Sequence, residues 1–180
     1  EDAEYVIVSM GSLSDVAYQA VKYLNKTGEK VGVINVHLYR PFSAKHLQAV
    51  LPKTVRKIAV IDRTKEPGAN GEPLYLDVKD CFYGRENAPI IVGGRYGLSS
   101  KDTTPAQIIS VFENLALNEP KNHFTVGIVD DVTFTSLPMK EEIALGGEGM
   151  FEAKFYGLGA DGTVGANKNS VKIIGDNTDK

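Results

Sequence analysis

The sequence predicts an α/β fold: a three-layer α/β/α sandwich on a mainly parallel sheet of about five strands. Short runs rich in valine and isoleucine alternate with segments of helical periodicity along most of the 180 residues. Runs that are apolar throughout are typical of strands buried on both faces, as in parallel sheets. The alternation of strands and helices implies that helices cover both faces. The predicted strands are Tyr5–Met10, Val31–Val36, Lys57–Asp62, Pro89–Gly94 and Phe124–Val129.

Four helices are predicted around these strands. Each of three helices begins near a serine or threonine, the residue types that cap a helix N-terminus. In the fourth helix, Thr104 is followed by Pro105, which suits the first helical position. Glycine or proline ends the first two helices, and a Gly/Pro-rich loop precedes the third. The residues at the start and the end of the four predicted helices are, in chain order, Ser14 and Gly28, Ser43 and Pro52, Leu74 and Phe82, and Thr104 and Leu115.

The strand–helix alternation stops after Pro138, which predicts a domain boundary. We expect an α/β domain at residues 1–138, a glycine-rich linker at 139–150, and the start of a second α/β domain at 151–180. That second domain would open with a short strand at Ala153–Tyr156. Because the chain starts without methionine and includes only one unit of the second domain, we expect it to be part of a longer polypeptide.

Composition excludes several classes of function. The net charge of −3 gives no reason to expect a nucleic acid or an anionic membrane as partner. No apolar run approaches the ~20 residues of a membrane span. The single cysteine, Cys81, rules out a cysteine-ligated metal or iron–sulfur site within this segment and fits a reducing compartment such as the cytoplasm. The histidines are not paired at helical spacing, so no metal site is expected on His37, His46 or His123.

A glycine pattern near the end of the chain is the candidate binding motif. Gly157, Gly159 and Gly162 form G-x-G-x-x-G, the spacing of a phosphate-binding turn that opens a helix. Thr163 stands where a Walker-type loop would have lysine, so that class is excluded. The N–H groups of the helix N-terminus, the hydroxyl of Thr163 and the ammonium of Lys168 could receive an anion. The alternative is a strand–helix turn that needs glycine for packing.

No catalytic constellation is predicted, and we expect no residue of this segment to be catalytic. No Ser/His/Asp set or carboxylate pair stands out in the sequence. Arg63, Glu66, Arg95 and Asp102 each follow a predicted strand, at the edge where open parallel sheets place their working residues. We interpret them as members of interdomain salt bridges.

Several long motifs resemble known families. The stretch Tyr5–Arg63, with VIVSMGS, VGVINVHLYRPF and KIAVIDR, resembles the C-terminal domain of the transketolase family. Three later motifs are similar to those of the pyruvate:ferredoxin (flavodoxin) oxidoreductases, and that resemblance covers nearly the whole chain. The motifs are DRTKEPGANGEPLYLDV, GGRYGLSSKDTTPAQI and FYGLGADGTVGANKNSVKIIGDNTD.

The resemblance implies a parent enzyme with thiamine diphosphate, Mg²⁺ and iron–sulfur clusters. Such an enzyme converts pyruvate and coenzyme A to acetyl-CoA and CO₂ and reduces ferredoxin or flavodoxin, and a homodimeric parent is expected. The family's cluster cysteines and its diphosphate-binding G-D-G…N motif are absent here, so this segment is expected to be an inactive scaffold that packs against other domains. By resemblance, the residues that approach the phosphates of coenzyme A are Gly157, Gly159, Gly162, Thr163 and Lys168.

Two alternatives remain open at this point. The chain could be a stand-alone nucleotide-binding protein that uses the glycine loop, although its second domain is incomplete. It could also be the C-terminal domain of an ordinary transketolase-type enzyme, which would not be expected to continue into FYGLGADGTVGANK.

Overall fold

The computed structural model describes residues 2–143, 145 and 153–178, without the side chain of Ser100. The chain divides into two compact units, Glu1–Ala144 and Leu145–Lys180. The strands are β1 (Tyr5–Ser9), β2 (Val31–Asn35), β3 (Lys57–Asp62), β4 (Ile90–Tyr96) and β5 (Phe124–Val126). The helices are α1 (Leu13–Lys26), α2 (Ala44–Val50), α3 (Pro73–Asp80), α4 (Pro105–Ala116) and, in the second unit, α5 (Thr163–Asn177).

The first unit is built on one five-stranded sheet in the order β2-β1-β3-β4-β5. Every neighbouring pair is parallel, and β1 lies between its two partners with Val6 opposite Gly32 on one side and Ile58 on the other. The prediction of a parallel sheet of about five strands is therefore confirmed. In this doubly wound order the direction of winding changes between β1 and β3, so the loops after these two strands leave the same edge on diverging paths.

Two apolar cores lie on opposite faces of the sheet, which confirms the predicted three layers. Because side chains alternate along a strand, Ile7 of β1 points to one face while Val6 and Val8 point to the other. Helices α1 and α4 cover the first face, with Leu13, Ala17, Ile108, Val111 and Leu115 in the core. Helices α2 and α3 cover the second face with Leu47, Leu74, Tyr75 and Val78.

Two of the three predicted helix caps are confirmed. The Ser43 hydroxyl accepts the N–H of His46 at 3.4 Å, and Thr104 forms a reciprocal capping box with Gln107. The prediction of Ser14 as the cap of α1 is wrong, because α1 already begins at Leu13. The Ser14 side chain is buried, and its hydroxyl oxygen lies 2.9 Å from that of Ser9 at the end of β1.

Strands β1 and β2 end one residue before their predicted ends, and two other strand ends differ by more. Strand β4 continues to Tyr96, two residues beyond its predicted end, because Arg95 pairs with both β3 and β5 and Tyr96 pairs with Val126 of β5. Strand β5 ends at Val126, where Gly127 takes a positive φ of 68°. The chain then returns beside β5, with a parallel bridge between Thr125 and Ser136.

The predicted strand at Ala153–Tyr156 is wrong, since residues 153–158 have no regular secondary structure. A strand needs a neighbour to take up its backbone hydrogen bonds, and the described residues of the second unit include no other strand. Of the predicted linker, residues 139–143 are irregular, whereas residues 144 and 146–150 lie outside the described part of the chain.

Candidate functional site

The glycine motif forms a turn that leads directly into α5. Gly162 immediately precedes the helix with φ 82° and ψ 0°, a left-handed conformation that favours glycine. Thr163 is the first helical residue. The loop residues Gly157, Gly159, Gly162 and Thr163 line one shallow depression, together with Phe155, Ala160, Asp161 and Val164. The structure therefore brings four of the five predicted site residues together.

Asp161, which sequence reasoning missed, is the hydrogen-bonding centre of this loop. Its Oδ2 accepts the N–H of Leu158 at 2.8 Å. Its Oδ1 accepts the N–H of Thr163 at 3.1 Å and the Thr163 hydroxyl at 2.5 Å. The Thr163 hydroxyl and then the two N–H groups lower the pKa of Asp161, because they stabilise its charged form. The signal in the sequence was an aspartate two residues before a threonine at a helix start.

The hydrogen bonds between Asp161 and Thr163 require glycine at position 157. A Cβ atom added to Gly157 would lie 2.6 Å from Oγ1 of Thr163 and 2.8 Å from Oδ1 of Asp161. Both distances are shorter than van der Waals contact allows. The first glycine of the motif thus makes room for the carboxylate and the hydroxyl, while the third glycine supplies the turn.

Lys168 lies apart from the other four residues. It is exposed on α5, five residues after the first helical position, or about 7.5 Å along the helix axis. It does not line the depression. Helical side chains lean toward the N-terminus, so the Lys168 ammonium can approach the first turn from outside. It shares a side of the helix with Val164 and Val171, which lie four positions before and three after it and are also exposed.

At the carboxyl edge of the main sheet, Asp62 acts as the cap of a helix. Asp62 is 3% exposed, and its two carboxylate oxygens accept the N–H groups of Leu74 and Tyr75 at 3.1 Å each. These N–H groups belong to the first turn of α3, whose preceding residue, Glu72, provides no side-chain cap. Burial raises the pKa of Asp62 to about 6, although the two hydrogen bonds oppose that shift.

An ion pair between the buried Glu72 and the partly buried Arg95 lies beside this cap. The Arg95 guanidinium contacts Oε1 of Glu72 at 3.2 Å and donates to the His123 carbonyl at 3.2 Å. The second carboxylate oxygen of Glu72 is buried and has no hydrogen-bond partner among the described residues. Arg95 belongs to β4, opposite Asp62, so the expectation that it follows the strand is wrong. Arg63, by contrast, follows β3 as expected and donates from Nε to the Gly97 carbonyl at 3.2 Å.

The described residues contain no group of three or more His, Cys, Asp or Glu side chains that could hold a metal ion. The three histidines have separate neighbours: His37 lies near Asn35, His46 near Ser43, and His123 stacks edge-on against Tyr75. Within the same described ranges, no helix has both the length and the apolar character to cross a membrane.

The first unit is a doubly wound parallel α/β domain whose edge charges are used within the fold, and the second unit carries a glycine turn at a helix N-terminus. Residues 3–108 match the family model described as pyruvate:ferredoxin oxidoreductase core domain II. The chain belongs to this family, which confirms the resemblance found in the sequence.

Similarity to individual proteins extends over almost the whole chain. It is 60% identical over 178 residues to a pyruvate:ferredoxin oxidoreductase of Moorella thermoacetica, and 58% identical over 179 residues to a pyruvate-flavodoxin oxidoreductase of Enterobacter agglomerans. It is 52% identical over 182 residues to a protein of Euglena gracilis named pyruvate dehydrogenase [NADP(+)], mitochondrial. These alignments cover 99% of this chain but 15% of each of the two bacterial relatives and 10% of the Euglena protein.

Proposed function

We propose that this chain is an internal segment of an enzyme that oxidises pyruvate with coenzyme A and passes the electrons to ferredoxin or flavodoxin. The names of the bacterial relatives support the substrate and the carriers. Thiamine diphosphate, Mg²⁺ and iron–sulfur clusters belong to the proposed parent and would be held by its other domains. A homodimeric parent and a cytoplasmic location are part of the same proposal.

Within that parent, residues 1–138 serve as a scaffold domain without catalytic groups. The observation that carries this proposal is the use of the charged side chains at the carboxyl edge of the sheet. Asp62 caps α3, Glu72 pairs with Arg95, and Arg63 binds the Gly97 carbonyl. An open α/β sheet usually presents its working residues at this edge. Here they bind groups of the domain itself, which suits a domain that positions its neighbours.

The loop after β5 offers this scaffold an exposed apolar surface on an internally hydrogen-bonded loop. Val129, Val132 and Phe134 are exposed. Between them, Asp130 accepts backbone N–H groups of Val132, Thr133 and Thr135 and the hydroxyls of both threonines. The threonine hydrogen bonds, those of Thr133 first, hold the pKa of Asp130 far below its usual range. A loop that is tied internally and presents apolar side chains outward is suited to packing against another domain.

The second unit begins the domain that binds coenzyme A, in this proposal from residue 151 after a linker at 139–150. Gly157, Gly159 and Gly162 shape the loop, and the N–H groups at the start of α5, the Thr163 hydroxyl and Lys168 face the phosphates. Support comes from the left-handed turn at Gly162 and from the reach of Lys168 toward the first turn of the helix.

A lysine substitution in the full-length polypeptide tests this assignment. Lys168→Ala should raise the apparent KM for coenzyme A by up to ~10-fold, because one charge-assisted phosphate contact is lost. The KM for pyruvate should not change. The matched control is Lys172→Ala, one turn further along the same exposed helix, which should leave both constants unchanged. Equal increases for both substrates would show that Lys168 supports the fold instead of the coenzyme.

A further inference from the structure

A small cavity opens at the carboxyl edge of the main sheet, where the direction of winding changes between β1 and β3. Its volume is about 270 Å³, and its wall includes Leu13 at the start of α1 and Arg63 directly after β3. The end of β4 and the segment that follows it add Tyr96, Lys101 and Asp102. Open α/β sheets bind their ligands in the crevice at such a point. The position of the cavity therefore favours a binding site.

The charged groups of the cavity lie at its mouth. Tyr96 is buried, and its hydroxyl donates to the Met10 carbonyl at 3.3 Å, so this donor is already used within the fold. Arg63, Lys101 and Asp102 are exposed. Two cations and one carboxylate leave the mouth with a net positive charge, which favours an anionic ligand.

One nitrogen of the Arg63 side chain is used within the fold, and two are not. Its Nε donates to the Gly97 carbonyl at 3.2 Å. A Cβ atom at Gly97 would lie 3.2 Å from this Nε, so glycine permits the close approach. Among the described residues, neither Nη atom of Arg63 nor the Lys101 ammonium has a hydrogen-bond or ion-pair partner. Two like charges that line one cavity repel each other, and an anion between them relieves that repulsion.

We propose that this cavity binds a small phosphate monoester, with its phosphate between Arg63 and Lys101. The two Nη groups form the planar fork that binds phosphate oxygens in pairs, and the ammonium adds a point charge. Asp102 repels a second anionic group, but its carboxylate can accept a hydroxyl of the ligand. The cavity is smaller than the roughly 300–1,000 Å³ of sites for drug-sized ligands, so it suits a compact hydroxylated molecule. This site adds ligand binding to the scaffold role of the domain.

Residue-specific lysine labelling of the full-length polypeptide tests the proposal, with glycerol 3-phosphate as the probe. An acetylating ester modifies exposed lysines, and peptide mass spectrometry gives the rate at each position. Glycerol 3-phosphate should slow the labelling of Lys101 by about 3-fold, because an amine paired with an anion stays protonated and unreactive. The exposed Lys53 is the internal control and should react at an unchanged rate. Acetate at matched ionic strength carries one charge and should protect Lys101 less.

Arg63→Gln should abolish the protection of Lys101, whereas Arg63→Lys keeps the charge and should retain part of it. Protection that survives in Arg63→Gln would overturn the proposal, as would equal protection by acetate or none by glycerol 3-phosphate. Labelling of Lys101 in the 180-residue chain but not in the full-length polypeptide would overturn it too, since another domain would then fill the cavity. Lys168→Ala should leave the protection unchanged, which separates this site from the proposed coenzyme A loop.

Discussion

Asp62 and Glu72 show how single buried carboxylates are used at the edge of this sheet. Asp62 replaces the missing cap of α3, and Glu72 neutralises Arg95, which lies opposite Asp62 on β4. Each charge is retained because it satisfies a group that would otherwise be buried without a partner. Burial of Asp62 disfavours its charged form and raises its pKa.

The raised pKa of Asp62 predicts a stability that falls between about pH 4 and pH 6. The unfolded chain ionises Asp62 near its ordinary value, 3.8, whereas the folded chain does so at about 6. The stabilisation that the neutral Asp62 side chain contributes to folding is complete below pH 3.8. It is lost as the pH rises through about 6. The loss amounts to at most about 3 kcal/mol of unfolding free energy.

Urea unfolding of the 180-residue chain at pH 4 to 7 measures this loss, and Asp62→Asn should remove it. The amide can cap only one of the two N–H groups, so the comparison concerns the slope with pH and not the absolute stability. The exposed Asp131→Asn should leave the slope unchanged. A wild-type slope that survives in Asp62→Asn would assign the pH dependence to another group.

At the scale of elements, the helices differ in how their N-termini are stabilised. Helix α4 has a local capping box, α2 has the Ser43 cap, and α3 depends on Asp62, which lies twelve positions before Leu74 in the sequence. Local caps are visible as short patterns, because both partners lie within one turn. A cap such as Asp62 becomes visible only when β3 and α3 are packed together.

Removal of the α4 capping box should cost about 1 kcal/mol of unfolding free energy. In Thr104→Ala, the N–H of Gln107 loses its 3.4 Å hydroxyl acceptor, whereas the backbone N–H of residue 104 can still donate to the Gln107 side chain. Urea unfolding at pH 7 checks the value, with the neighbouring Thr103→Ala as control. A loss no larger than that of the control would mean that the packing of α4 against α1 alone fixes the start of the helix.

At the scale of the whole molecule, the first unit has an apolar core on each face of its sheet, yet the apolar side chains of the loop after β5 are exposed. Phe134 is 73% exposed and has a positive φ of 56°, a conformation that non-glycine residues rarely adopt. Its carbonyl accepts the Lys121 ammonium at 3.1 Å, which helps to hold the loop in place. We expect this surface to be covered by another domain of the parent.

Phe134→Ser should therefore lower the unfolding midpoint of the full-length polypeptide and leave that of the 180-residue chain unchanged. The burial of one phenylalanine side chain contributes about 2 kcal/mol, and only the parent would lose it. Differential scanning calorimetry of both forms gives the comparison. Phe134→Leu keeps an apolar side chain and should retain most of the stability. Equal decreases in both forms would show that Phe134 stabilises its own domain.

The sequence by itself determined the parallel sheet, the helices on its two faces, the caps at Ser43 and Thr104, and the glycine turn before α5. These features depend on side-chain periodicity and on contacts within a turn, which are written into short stretches of sequence. The resemblance of nearly the whole chain to one family could also be found from the sequence, because it depends on long motifs.

Only the tertiary structure decided the Asp62 cap, the Glu72–Arg95 pair and the true ends of β4 and β5. The cap, the ion pair and the extension of β4 each join residues that are distant in sequence, and no local pattern specifies which strand will lie beside which. The same reason explains the failure of the predicted strand at Ala153–Tyr156, whose apolar pattern has no neighbouring strand among the described residues to pair with. Periodicity sets what a segment can form, whereas its hydrogen-bonding partners set what it does form.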